Sequence, residues 1–185
     1  MLTANEILKQ IKLGNIGIDP FDINCLNPNS YNVHLADEII QYDKHIVLDM
    51  KKNDNRYTKK IIPESGLTLY PNTLYIGSIK ETVSSDKFIS AIDGRSSIGR
   101  LGISIHSTAG FGDIGFSGTY TLEISVVQPV VIYPDMLIGQ VYFTEPNGDI
   151  DFLYNGRYQN QSGAVESRIN IDSKDISNYH YNKNI

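Results

Sequence analysis

Tyr120, Leu122, Ile124 and Val126 alternate with Thr121, Glu123 and Ser125. This is the period-two pattern of a half-buried strand. Ile103 to His106 repeats it, and short apolar runs recur at Val33-His34-Leu35, Ile39-Ile40, Gly66 to Tyr70, Leu74 to Ile79, Phe88 to Ile92, Val130 to Tyr133 and Leu137 to Phe143. Pro71-Asn72 and Pro134-Asp135 punctuate them as turns. Many short strands at this spacing predict an all-β chain, a sandwich or barrel. One helix is expected, over about residues 4–13. Ile7, Leu8 and Ile11 share a helical face, Thr3 with Glu6 makes a capping-box pattern, and Gly14 can end it. Residues 49–60 are polar and Lys-rich, the composition of an exposed loop or hairpin tip. From Asp172 the chain turns Asn-, Lys- and Tyr-rich with few aliphatics. The division expected is one domain over 1–171 and a polar tail, 172–185, poorly ordered unless it docks.

Composition narrows the classes. The 185 residues carry 41% hydrophobic and 20% charged side chains, ordinary for a globular domain. No run of eighteen apolar residues occurs, so no membrane partner is expected, and the first residues lack the basic-then-apolar order of a signal peptide. Cys25 is the lone cysteine, so a reducing, cytoplasmic setting fits. The net charge of −5 argues against long nucleic acid as a partner, but not against a small anion held by local arginines. Four scattered histidines and one cysteine give no zinc spacing, and the H-x-E with P-C-x-x-C of zinc-dependent deaminases is missing.

Four segments carry candidate chemistry. Glu123 lies on the strand face shared with Thr121 and Ser125; as a lone residue it reads as a solvated charge, but a partly desolvated carboxylate can accept and return a proton near neutral pH. Gly94-Arg95-Ser96-Ser97-Ile98-Gly99-Arg100 sets two arginines and two serines around glycines. It reads either as a capped turn with surface arginines, or as an anion cradle with Ser96 and Ser97 capping a helical turn. Four glycines fall within the nine residues from Gly110 to Gly118, either a tight hairpin turning at Asp113 or a place where backbone approaches a ligand, with Phe111 or Phe116 packing on a flat ring. Tyr154 to Gly163 is polar yet aromatic, an ordinary loop or a flap over a ligand.

The joint order of these segments closely resembles the dCTP deaminase family of the trimeric dUTPase superfamily. The resemblance rests on Gly94 to Gly102, His106-Ser107-Thr108-Ala109, Asp113 to Glu123, Pro134 to Gln140, and Tyr158-Gln159-Asn160-Gln161-Ser162-Gly163. Pro28 to Leu35 resembles the family's P-x-S-Y-D-V-x-L, with Asn32 where Asp is usual. The resemblance covers roughly residues 1–170. It implies a distorted jelly roll of the dUTPase type, assembled as a homotrimer with sites between subunits, that deaminates dCTP at C4 without a protein-bound metal. Mg²⁺ would ride on the triphosphate, and no zinc is implied.

The same resemblance implies roles. Glu123 would be the general base and acid, with Ser96 and Arg100 positioning water and stabilising charge. Ser107, Thr108 and Ala109 would hold the water and the base edge, and Asp113 the deoxyribose. Arg95, Ser97, Tyr154, Arg157 and Gln161 match triphosphate-binding positions, and Gln140 is a further contact. Strictly monofunctional members, which stop at dUTP, carry an Arg two residues after the Thr-Ala pair. Here Gly110-Phe111 follows Ala109, closer to bifunctional members that release diphosphate and give dUMP. Gly112 stands where an aliphatic residue is usual, and Ile114 where Pro or Ala is common. A monofunctional deaminase, a plain dUTPase and a silent nucleotide-sensing trimer are the alternatives; Glu123, Ser96, Arg100 and the Tyr158 to Gln161 run favour the deaminase.

Overall fold

The computed structural model describes residues 1–51 and 55–169. The expected tail, 172–185, and part of the expected 49–60 loop lie outside them. The architecture is all-β with antiparallel pairing, as the alternation predicts. One sheet runs β5 (Tyr57–Ile61), β4 (Glu38–Tyr42), β7 (Tyr75–Ser85), β11 (Ser117–Val126) and β9 (Ile103–Ser104), with β1 (Ile16–Asp19) also pairing β7. A second runs β10 (Phe111–Gly112), β8 (Ile89–Gly94), β13 (Leu137–Thr144), β3 (Ser30–His34) and β2 (Leu26–Asn27). β12 (Val130–Ile132) and β6 (Leu67–Leu69) make a separate pair.

The two large sheets share one core. Tyr31, Val33, Val141 and Phe143 from one sheet join Ile79, Val83, Leu122 and Ile124 from the other, all fully buried. Along β11 the even-numbered side chains Leu122, Ile124 and Val126 go into that core, leaving Thr121, Glu123 and Ser125 on the other face, half exposed. The register of β11 on β7 shifts between Thr119 and Thr121, a bulge ahead of Glu123.

The helix α1 spans Ala4–Lys12 and buries Ile7 against β1, worth about 2 kcal/mol for a side chain of that size. The expected capping box does not form. Thr3 is the N-cap residue but its side chain makes no cap bond, and Glu6 accepts from Lys9 and Gln10 instead (3.2 and 2.6 Å). Longer side chains one turn on outcompete the backbone amide for that carboxylate. Strands β1, β2 and β10 lacked a sequence signal because runs of two to four residues are too short to show alternation. β7 conceals a charge in the core: Glu81 is buried and accepts from the His34 backbone N–H (3.0 Å) and from Nδ1 of the His34 ring (2.6 Å).

Candidate active site

Glu123 is held from both sides. Its backbone N–H donates to Ile105 O at 2.8 Å, and its Oε2 accepts from the Ser107 N–H at 2.9 Å. The carboxylate therefore sits at the mouth of the exposed Ser107-Thr108-Ala109 turn, on a strand rather than a loop. That turn is pinned beneath by Ile92 N–H donating to Gly110 O at 2.7 Å.

The arginine-serine run follows β8. Ser96–Gly99 forms a single helical turn, α2, with Arg95 rather than a serine as N-cap, and no side chain caps it. Ser96, Ser97 and Arg100 are exposed. Arg95 donates to Leu137 O (3.3 Å) and Arg100 to Ser96 O (3.2 Å). The expected serine caps are absent because the turn begins one residue earlier, which places Ser96 and Ser97 inside it, both exposed. Gln140 is tied inward: its Oε1 accepts from Ser30 Oγ (3.0 Å) and its Nε2 donates to Gly94 O (3.4 Å), fixing the start of the run. Among the described residues no hydrogen bond or ion pair joins Glu123 to Arg95, Ser96, Ser97 or Arg100. One chain thus presents a carboxylate with its turn and an arginine-serine cradle that are not bonded to each other.

The glycine-rich stretch proves to be filled by the chain itself. A Cβ on Gly115 would lie 2.8 Å from Tyr154 N, and one on Gly118 would lie 2.8 Å from Gln161 O. The Tyr154–Gln161 segment is laid directly on this turn. Tyr154 N–H donates to Ile114 O (2.7 Å), Asn160 N–H to Ser117 O (2.8 Å) and Thr119 N–H to Gln161 O (3.0 Å). At Gly112 a Cβ would overlap the Tyr120 hydroxyl and come within 2.7 Å of Ser90 Oγ. These two hydroxyls are hydrogen-bonded at 2.6 Å, so their pair occupies the space an aliphatic side chain would need. Phe116 is buried against Tyr120 and Tyr154 and serves the core, whereas Phe111 is 63% exposed. Asp113 is exposed, its carbonyl accepting from the Phe116 N–H.

Within the flap, the Gln161 amide donates to Thr119 O (2.7 Å) and Thr121 Oγ1 (3.3 Å), which lashes it to the strand of Glu123. The Tyr154 hydroxyl accepts from the Tyr158 N–H (3.2 Å), and the Arg157 guanidinium lies 5.9 Å from the Tyr158 ring centroid. Gln159 went unassigned in the sequence, yet it donates to Gly115 O (2.7 Å) and accepts from the Ser117 N–H (2.9 Å), anchoring the flap. Its place inside Tyr158-Gln159-Asn160-Gln161 was the available signal.

Residues 1–145 match the protein family described as dCTP deaminase-like. The chain is 49% identical over 168 residues to the "dCTP deaminase, dUMP-forming" of Clostridium beijerinckii, covering 90% of this chain and 95% of that one. It is 42% identical over 172 residues to the protein of the same name from Leptospira biflexa, covering 93% and 97%. A crystal structure of 2'-deoxycytidine 5'-triphosphate deaminase from Agrobacterium tumefaciens shares the fold, with a TM-score of 0.60 at 18% identity over 78% of this chain. The chain spans about half (48%) of that solved chain's length.

Proposed function

The chain belongs to the dCTP deaminase-like family, and from that premise we propose that it converts dCTP to dUMP, ammonia and diphosphate. The observation that carries the chemistry is Glu123, a half-buried carboxylate on a strand, held by the Ser107 N–H beside an open turn.

In this reading the cytosine edge enters the Ser107-Thr108-Ala109 turn. Glu123 takes a proton from water as its oxygen bonds to C4, and passes that proton to N3 of the ring. It then takes the proton of the new C4 hydroxyl and gives it to the 4-amino group, so that the C4–N bond breaks, ammonia leaves and the uracil carbonyl forms. Ser96 and Arg100 hold the water and offset charge in the transition state, the donor role that contributes most in such sites. A second water then cleaves the bond between the α- and β-phosphoryl groups, giving dUMP and diphosphate. Asp113 accepts from the deoxyribose. Arg95, Ser97, Tyr154, Arg157 and Gln161 receive the triphosphate, and Gln140 acts through the backbone of Gly94, to which its amide is bonded.

Mg²⁺ belongs to this reading as part of the substrate. Its preferred donors are hard oxygens, which the phosphates of the nucleotide supply. A homotrimer with shared sites belongs to it too. What supports it is that, among the described residues of one chain, no hydrogen bond or ion pair joins Glu123 to the Ser96–Arg100 cradle, and that Phe111, Val127 and Tyr133 are exposed. A cytoplasmic setting belongs to this reading as well, supported by the lone thiol of Cys25, which is buried. No helix among the described residues is long and apolar enough to cross a membrane.

The test is Glu123→Gln. The variant should bind dCTP within a few-fold of wild type and release no ammonia; turnover near the wild-type rate would remove Glu123 from the mechanism.

A further inference from the structure

The last described residues fold back onto the flap through an arginine that the catalytic reading does not use. Arg168 Nη1 donates to Arg157 O at 2.6 Å, and its backbone N–H donates to the Tyr158 hydroxyl at 3.0 Å. Its guanidinium lies 5.8 Å from the Tyr158 ring centroid, and Arg157 sits 5.9 Å from the same centroid. Arg157 in turn donates to Arg168 O at 3.5 Å. Next to it, the Ser167 N–H donates to the Tyr42 hydroxyl of β4 at 2.9 Å, which ties the segment to the sheet.

Two guanidinium groups thus share one aromatic ring, and each bonds the other's backbone carbonyl. Among the described residues no carboxylate lies within ion-pair distance of Arg168. The Tyr158 ring and the two guanidinium groups form one unit that joins the flap to the segment after it. The carbonyl that Arg168 grips belongs to Arg157, so its strongest bond fixes the peptide from which the Arg157 side chain projects.

We propose that Arg168 is a positioning residue for polyphosphate binding: it holds the Arg157-Tyr158 peptide so that Arg157 meets the triphosphate without first having to be ordered. The inference rests on the assignment of Arg157 to the triphosphate. Its energetic basis is preorganisation, because a loop ordered in advance loses less entropy when the ligand binds. A guanidinium suits the task and an ammonium does not, since only the planar fork can stack on Tyr158 while donating to a carbonyl at its edge.

The test compares wild type, Arg168→Ala, Arg168→Lys, Arg157→Ala and the double alanine variant. Steady-state turnover of Mg·dCTP and calorimetric binding of inorganic triphosphate are measured, with melting temperatures alongside. Arg168→Ala should raise KM about tenfold, the size of one lost charge-assisted hydrogen bond, with kcat within about twofold. Arg168→Lys should fail to restore KM although it keeps the charge. In the Arg157→Ala background, loss of Arg168 should add less than about twofold. Inorganic triphosphate should weaken in step with KM. Full rescue by lysine, additive effects of the two alanines, or a fall in kcat with KM unchanged would each overturn the proposal. If Arg168→Ala does not fold, the lysine variant alone decides by the same criterion. Should wild type release no ammonia from dCTP, the deaminase reading fails, and triphosphate binding still reads Arg168: no difference between wild type and Arg168→Lys overturns it.

Discussion

Replacing Gly112 by alanine should destabilise the protein by about 3 kcal/mol, and the cost is legible in the packing. The new Cβ would overlap the Tyr120 hydroxyl and stand 2.9 Å from its ring carbon Cζ, with Ser90 Oγ at 2.7 Å. Neither partner has room to retreat: Tyr120 is 5% exposed, Ser90 is 2% exposed, and their hydroxyls are bonded at 2.6 Å. Overpacking of this kind costs about 1–3 kcal/mol. Separating the hydroxyls leaves buried groups unpaired for about 1–3 kcal/mol more. The sum falls near 3 kcal/mol once partial relaxation of β10, which is only two residues long, is allowed. The assay is equilibrium urea unfolding at matched protein concentration, read as a change in midpoint at constant slope. Tyr120→Phe removes the overlapping oxygen, so Gly112→Ala with Tyr120→Phe should be at least about 1 kcal/mol less destabilised than the two single changes added. Strict additivity, or Gly112→Ala costing less than about 1 kcal/mol, would refute the claim that this hydroxyl pair fills the glycine's missing side chain.

Burial pushes the Tyr120 phenol up to about 12, with the Ser90 hydrogen bond opposing. The folded value lies above the unfolded value near 10, so this contribution is complete below about pH 10 and is lost as pH rises through about 12. The unfolding free energy from urea curves should fall across that window by about 3 kcal/mol from this group, and less in Tyr120→Phe. His34→Ala should cost about 2 kcal/mol in the same assay, since it leaves the buried Glu81 carboxylate without its ring partner, whereas Lys9→Ala at an exposed pair should cost under about 0.5 kcal/mol. Gln159→Ala should leave the Ser117 N–H and the Gly115 carbonyl unpaired, raise hydrogen exchange across residues 154–161, and raise KM for dCTP more than it lowers kcat; unchanged exchange there would show that the flap is anchored by other means.

The strands that build the core could be read from alternation because β11 and β13 are eight residues or longer with one face buried. Glu123 was placed on the correct face of β11 by the same period. Other features were hidden for physical reasons. Glu81 occupies an inward position that the alternation assigns to an apolar side chain, and only the distant His34 makes it tolerable. The glycines from 110 to 118 announced a close approach without saying to what; at Gly115 and Gly118 the answer was the chain's own flap, forty residues on, and at Gly112 the Tyr120–Ser90 hydroxyl pair. The capping pattern Thr3 to Glu6 failed because Lys9 and Gln10 compete for the carboxylate, a contest that a motif does not weigh. Arg168 sits in a polar stretch without periodicity, and its role exists only through the fold-back onto Tyr158.

The central claim is that one site deaminates dCTP through Glu123 and carries the product on to dUMP. The direct measurement incubates the protein with dCTP and Mg²⁺ and follows ammonia, dUTP, dUMP and diphosphate separately. Ammonia, dUMP and diphosphate should appear in equal amounts, with no build-up of dUTP. Ammonia accompanied by accumulating dUTP would contradict the second step, and an absence of ammonia would contradict the account as a whole.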